Sequence, residues 1–307
     1  MRPIDWERDV KLLRSLGLGW LAWRLLGPEM PPRYTVPQRH PLLLPGRTVF
    51  VGDREVFVRE AGPADAQVLV LLHGLGLDSM LAWYRLIPLL AERFRIVSID
   101  LHGAGKTDKG RDPFEIADMA DQVAGALGAL GIDQATVAGY SMGGAVAQEL
   151  AHRHPHLVER LVLIATLSYH PPAWRWGRTV IGLVGRALER VSRVEVSWVW
   201  YRYLLWVGAV DRIGERWLWE TRMNRDPEVQ YRSMFALLRF DSRRWLAGLN
   251  VPALVIIPQS DQLVLPAWQR EMAALLRDST VVEVAGARHE LPMTHPDQVA
   301  EAVEEFR

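Results

Sequence analysis

Apolar positions along this chain change their spacing at two points, near residues 168 and 247. Between residues 46 and 167, apolar runs of strand length alternate with longer stretches at helical period. Thr48–Val51 and Glu55–Glu60 flank a Gly52-Asp53 turn and predict a hairpin. Val68–Leu72 is apolar without interruption, which predicts a central parallel strand covered on both faces. A helix from Ser79 to Arg93, a strand Arg95–Asp100, a helix over Phe114–Leu130, a short strand Ala135–Ala138, a helix over Gly144–Leu150 and a strand Leu161–Ala165 complete this part. The alternation resumes after Pro252 with strand Ala253–Ile257, helix Ala267–Arg277, strand Thr280–Ala285 and helix Pro296–Phe306. This order predicts an α/β fold: a mostly parallel eight-stranded sheet with helices on both faces.

Residues 168–246 break the rhythm with several helix-like segments and no convincing strand. They hold eight of the thirteen tryptophans, and fourteen arginines against eight acidic residues. A helical insertion in an α/β sheet reads as a cap over the strands' carboxyl ends, where such sheets bind ligands. The expected division is therefore an extension at 1–45, a core at 46–167 and 247–307, and a cap at 168–246. Within the cap, Trp198, Trp200 and Trp206 crowd one predicted helix and Ala209–Met223 forms a second wall. They suggest an apolar pocket with arginines at its rim, and Trp198 and Trp206 are candidate substrate contacts.

In the extension, Trp6, Leu12, Leu13, Leu16, Trp20 and Trp23 share one helical face, with Arg8, Lys11 and Arg14 opposite. Such a helix can lie in a membrane interface. It can equally dock on the domain itself or on a second copy in a homo-oligomer, the favoured reading of residues 6–26. No run is long and uncharged enough for a membrane span or secretory signal, so a cytoplasmic location is expected, with peripheral membrane association as the alternative.

Composition removes several chemistries. Without cysteine there is no disulfide, thiolate metal site or cysteine nucleophile. The 36 basic and 36 acidic residues balance, so no nucleic-acid partner is expected. His152, His154 and His156 cluster, but no acidic residue stands at ligand spacing among them; they suit a helix C-terminus, and neither metal nor cofactor is expected.

The most informative residues are Gly139-Tyr140-Ser141-Met142-Gly143, a G-x-S-x-G pentapeptide between an apolar strand and a helix. A serine on so sharp a turn is strained and exposed, and the glycines two positions to either side relieve the crowding. A nucleophilic serine needs a base and an orienting acid at neighbouring strand ends. His289 follows the Thr280–Ala285 strand, and Asp261 follows Ala253–Ile257. Asp241 is the reserve acid, and Asp100 suits a loop anchor. His73 reads as structural, His102 as a loop residue near the site mouth that could touch substrate, and His295 as part of a helix start.

From about residue 46 to 307 the chain resembles the capped α/β-hydrolase superfamily. The resemblance rests on His73-Gly74-Leu75-Gly76, Asp100 to Asp108, Gly139 to Gly144, Ser260 to Val264 and Arg288-His289, in the family's order. It implies the α/β-hydrolase fold, with Ser141, His289 and Asp261 as catalytic triad. It further implies the N–H groups of Leu75 and Met142 as oxyanion hole, with Gly74 beside the substrate. The family usually has glycine where Pro258 and Arg288 stand; Arg288 puts a charge beside the histidine that could depress its basicity or recognise an anionic group. Ser141 sets the chain apart from the epoxide hydrolases and haloalkane dehalogenases of this fold, which use aspartate; cofactor-independent dioxygenases stay open. The leading expectation is a serine esterase for small-molecule or lipid-like esters with an apolar acyl part. A thioesterase or acyltransferase, a carbon–carbon bond hydrolase, and a non-catalytic binding protein are the alternatives.

Overall fold

β1 (Gly46–Val51) and β2 (Arg54–Ala61) form the predicted hairpin, with Val51 opposite Arg54 and Gly52 at φ +62° in the turn. Only a residue without Cβ takes that conformation cheaply. The computed structural model describes Gly19, residues 44–110 and residues 114–306, and every element below lies in the unit formed by residues 37–307. The amphipathic helix expected within residues 6–26 lies outside the described residues, Gly19 apart.

Then follow β3 (Val68–Leu72), α1 (Ser79–Trp83), α2 (Ile87–Leu90), β4 (Arg95–Ile99), α3 (Ile116–Ala129), β5 (Ala135–Tyr140), α4 (Met142–Arg153) and β6 (Val158–Ile164). Four helices come next: α5 (Pro172–Val191), α6 (Arg193–Trp206), α7 (Arg212–Asn224) and α8 (Pro227–Arg239). The chain closes with β7 (Ala253–Pro258), α9 (Pro266–Leu275), β8 (Ser279–Val284), α10 (Leu291–Thr294) and α11 (Pro296–Glu305). The described strands form one eight-stranded sheet in the order β1-β2-β4-β3-β5-β6-β7-β8. β2 runs antiparallel to both neighbours, and every pair from β4 to β8 is parallel. The central strands β5 and β7 are buried along their whole length, as their unbroken apolar runs require.

The single helix expected over Ser79–Arg93 is two short ones. Pro88 has no N–H to bond residue 84, and its ring would clash with that carbonyl in a continuous helix. The chain breaks at Tyr84–Leu86 and restarts with Pro88 in the first turn of α2.

The four helices between β6 and β7 are tied off where they leave the sheet. Tyr169 and Asp241 form an antiparallel bridge. Ser242 donates its N–H to the Ser168 carbonyl (2.9 Å) and its hydroxyl to Gln148 Oε1 of α4 (2.7 Å). Both ends of the insertion thus enter at one point beside α4. Among the described residues, no helix is long and apolar enough to cross a membrane.

Candidate active site

Ser141 stands between the end of β5 and the start of α4 at φ +53°, ψ −116°. This left-handed backbone is costly for a residue with a side chain and persists only where its surroundings enforce it. Here Ser141 N donates to the Ile164 carbonyl (2.9 Å), and Thr166 Oγ1 donates to the Ser141 carbonyl (2.8 Å). The pentapeptide glycines are required by contact: a Cβ at Gly139 would lie 2.3 Å from the Gly143 carbonyl oxygen, and one at Gly143 would lie 2.1 Å from that of Leu72. Turn and sheet are packed backbone to backbone, which pushes the serine side chain outward.

His289, from the loop after β8, places Nε2 2.9 Å from Ser141 Oγ and Nδ1 2.8 Å from Asp261 Oδ2. A carboxylate only accepts, so Nδ1 carries the proton and Nε2 is left to accept from the serine hydroxyl. Asp261, on the loop after β7, has a fully buried side chain. Its Oδ1 accepts from the backbone N–H groups of Leu263 (2.8 Å) and Val264 (2.9 Å), and Gln269 Nε2 donates to Oδ2 (3.2 Å). Tyr140 lies against the imidazole at 5.4 Å between ring centres, and burial holds its phenol well above the ordinary range, so it stays neutral.

Above Ser141 opens a cavity of about 710 Å³ lined chiefly by apolar side chains of the insertion, among them Trp174, Ile181, Trp200, Leu204, Met234 and Leu237. Gly74 and Leu75 line it from the loop after β3, and a Cβ at Gly74 would come within 3.4 Å of the Ser141 Cβ. Met142 opens α4, so its N–H has no acceptor within the helix. Ser141, His289, Asp261 and two backbone loops therefore meet at the sheet's carboxyl edge. Residues 67–296 match the family model described as the alpha/beta hydrolase fold.

The chain belongs to this family. It is 30% identical over 235 residues to a Serratia proteamaculans protein provisionally named carbamate hydrolase RutD, covering 75% of this chain and 86% of that one. With carboxylesterase YbfK of Bacillus subtilis it shares 26% identity over 255 residues, 80% of this chain and 82% of YbfK. The crystal structure of the enol-lactonase from Burkholderia xenovorans LB400 superposes with a TM-score of 0.72 at 26% identity, covering 85% of this chain and 99% of that chain. The chain spans 35% of the length of the first curated relatives it matches.

Several residues stand elsewhere than expected. His102 does not line the cavity. Its Nε2 donates to the Gly110 carbonyl (3.1 Å) and its ring packs on Phe114, beside a separate pocket of about 220 Å³ that Met142 also lines. Trp198 is buried inside the insertion, with Arg202 over its ring, and Trp206 is 71% exposed at an outer pocket of about 370 Å³. The residues of α6 that do reach the cavity are Trp200 and Leu204. Apolar side chains ring α6 on all sides, so its spacing favours no face. Arg288 turns outward, its guanidinium 4.7 Å from the Trp206 ring centre, and lines the outer pocket.

Asp241 is bound by Arg243 at the base of the insertion, far in role from the histidine. Asp100 anchors its loop by accepting from the N–H groups of Ser79 (2.8 Å) and Lys106 (2.9 Å). His73 accepts from Leu101 N at Nε2 (3.0 Å) and donates from Nδ1 to the Gly74 carbonyl (2.8 Å). His154 meets Asp121, which Arg153 also holds, and the described residues contain no group of three or more side chains suited to a metal ion. Sequence reasoning passed over Glu290 and Arg222, both almost fully buried and both on the cavity wall. Glu290 Oε1 accepts from the Tyr203 hydroxyl (2.8 Å). Nothing in their local sequence separates them from surface charges.

Proposed function

We propose that this chain is a serine hydrolase that cleaves carboxylic esters with an apolar acyl part. The observation that carries the reading is the unbroken chain Ser141 Oγ, His289 Nε2, His289 Nδ1, Asp261 Oδ2, with links of 2.9 and 2.8 Å, at the floor of an apolar cavity. Its volume lies within the ~300–1,000 Å³ usual for small-molecule sites. The names carboxylesterase and enol-lactonase among the relatives support acyl chemistry at an ester carbonyl.

In this reading Ser141 Oγ attacks the carbonyl carbon while its proton passes to His289 Nε2. The imidazolium that forms is stabilised by Asp261, which stays ionised. The N–H groups of Met142 and Leu75 receive the developing oxyanion; each such donor is worth about 100–1,000-fold in turnover. His289 then protonates the departing alkoxide, and the acyl-enzyme remains. Water attacks it, giving its proton to His289, and collapse returns the proton to Ser141 with release of the acid.

Hydrolysis of p-nitrophenyl esters of increasing chain length tests this. Turnover should persist to medium and long acyl chains and vanish in Ser141→Ala. Absence of turnover at every length, with Ser141→Ala indistinguishable from the parent, would remove the reading.

A further inference from the structure

Arg222 of α7 is only 2% exposed and lines the cavity beside Gly76, Trp200 and Gln230. Its guanidinium lies 5.6 Å from the Trp200 ring centre. Nε and Nη2 have no hydrogen-bond partner, and the side chain makes no ion pair among the described residues. Those two atoms form the side-on fork of the guanidinium. Elsewhere in this chain the same fork grips a carboxylate with both teeth: Arg153 on Asp121, Arg243 on Asp241 and Arg270 on Glu283. In Arg222 it is empty and has almost no accessible surface, so a ligand group reaches it only with a shift of the side chain; an unpartnered fork is a costly arrangement for a permanent cation.

Among the described residues no carboxylate is paired with it. Glu189 is engaged by Arg225, and Glu290 by Tyr203. Burial first, and the Arg225 charge second, pull Arg222 down to about 9, so an anion arriving there would relieve both penalties. We infer that Arg222 receives a carboxylate carried on the apolar body of the ligand, so the cavity selects amphiphilic acids over neutral analogues. As a statement about substrate this rests on the proposed ester chemistry; as a statement about binding it does not.

Calorimetric titration of the intact protein with octanoate and with 1-octanol reads it directly. Wild type should bind octanoate more tightly than octanol. Arg222→Met should weaken octanoate about tenfold or more, leave octanol within about twofold, and Arg222→Lys should recover part of the loss. The inference is overturned if wild type binds octanol at least as tightly, or if a folded Arg222→Met binds octanoate as wild type does. A dead nucleophile would leave these titrations intact, so the two failures are distinguishable.

A second, independent observation concerns the outer face of α5. Trp176, Val180, Ile181, Leu183, Val184, Leu188 and Val191 are all exposed, Ile181 to 71% and Val191 to 86%. At 100° per residue they fill an arc of about 160°. Inward, against the rest of the insertion, point Arg178, Arg186 and Glu189, the last two paired with Glu228 and Arg225. A water-facing helix has the opposite polarity. The face runs into the cavity mouth at Ile181, which lines the cavity together with the exposed Trp174 and Trp200. Of the six arginines in residues 172–206, Arg175, Arg190 and Arg202 are exposed, while neither of the two glutamates is.

The geometry points to an anionic lipid surface as the occupant, with the cavity opening onto it. In flotation with phosphatidylcholine–phosphatidylglycerol vesicles, wild type should co-float. A Leu183→Glu, Val184→Glu, Leu188→Glu triple variant should lose that partition about tenfold or more while hydrolysing a soluble short ester at the parent rate. No flotation of wild type, equal flotation of the variant, or a dimer in gel filtration that the variant splits would overturn it.

Discussion

Replacing Asp261 with asparagine changes one atom in a fully packed network, and the outcome follows from who donates to whom. Oδ1 accepts from two backbone N–H groups, at 2.8 Å from Leu263 and 2.9 Å from Val264. Oδ2 accepts from His289 Nδ1 at 2.8 Å and from Gln269 Nε2 at 3.2 Å. An amide nitrogen placed at Oδ1 would oppose two backbone donors that cannot move. Placed at Oδ2, it opposes a histidine that can change tautomer and the longer Gln269 donor, which keeps its 2.7 Å bond to the Val264 carbonyl, so this is the orientation asparagine takes. His289 must then carry its proton on Nε2, facing Ser141 Oγ (2.9 Å), and can no longer accept from it. A wrong tautomer of this kind costs about 10⁴-fold in turnover, or about 5 kcal/mol of barrier. The lost charge-assisted bonds cost the fold less, about 1–3 kcal/mol. Steady-state hydrolysis of p-nitrophenyl butyrate with a thermal melt on the same samples separates the two effects. A folded Asp261→Asn within tenfold of wild-type kcat/KM would refute the assigned hydrogen-bond direction.

Two further outcomes follow from the geometry. Gly143→Ala would set a Cβ 2.1 Å from the Leu72 carbonyl oxygen, in the middle of β3 and α4 packing; a loss of about 3 kcal/mol, or roughly 6–12 °C in Tm, is expected by calorimetry, and a melt within 2 °C or so of wild type would contradict the contact. His170 is held down to about 4 by burial and by Arg178, which donates to its Nε2 at 2.9 Å. The unfolded chain takes up that proton near its ordinary value of about 6.5 and the folded one only near 4, so stability falls as pH drops through this window, by about 2 kcal/mol at roughly pH 5. His170→Gln should show a flatter decline in Tm over that range. Asp78, pushed up to about 6 chiefly by burial, has the opposite slope in both proteins and cancels in the comparison.

What could be read from the sequence was whatever a local pattern encodes. The strands were legible because buried parallel strands are apolar runs of fixed length, as at Val68–Leu72 and Ala253–Pro258. The turn at Ser141 was legible because only glycine fits where backbones touch, and His289 and Asp261 because each follows a strand end. The insertion resisted for a physical reason. Its helices pack on one another as well as on the sheet, so apolarity does not mark one face: α6 is apolar all round, and α5 turns Arg178, Arg186 and Glu189 inward. The aromatic side chains that line the apolar cavity are Trp174 and Trp200 rather than Trp198 and Trp206. The buried fork of Arg222 leaves no trace in sequence, since fourteen arginines between residues 168 and 246 look alike until their partners are known.

The central claim, that His289 and Asp261 make Ser141 a nucleophile, is tested most directly by mass spectrometry of the intact protein after treatment with a fluorophosphonate. A single stoichiometric adduct on the peptide carrying Ser141, absent in Ser141→Ala and strongly slowed in His289→Ala, is the predicted result. No adduct, or one on a different serine with Ser141 untouched, would contradict the account.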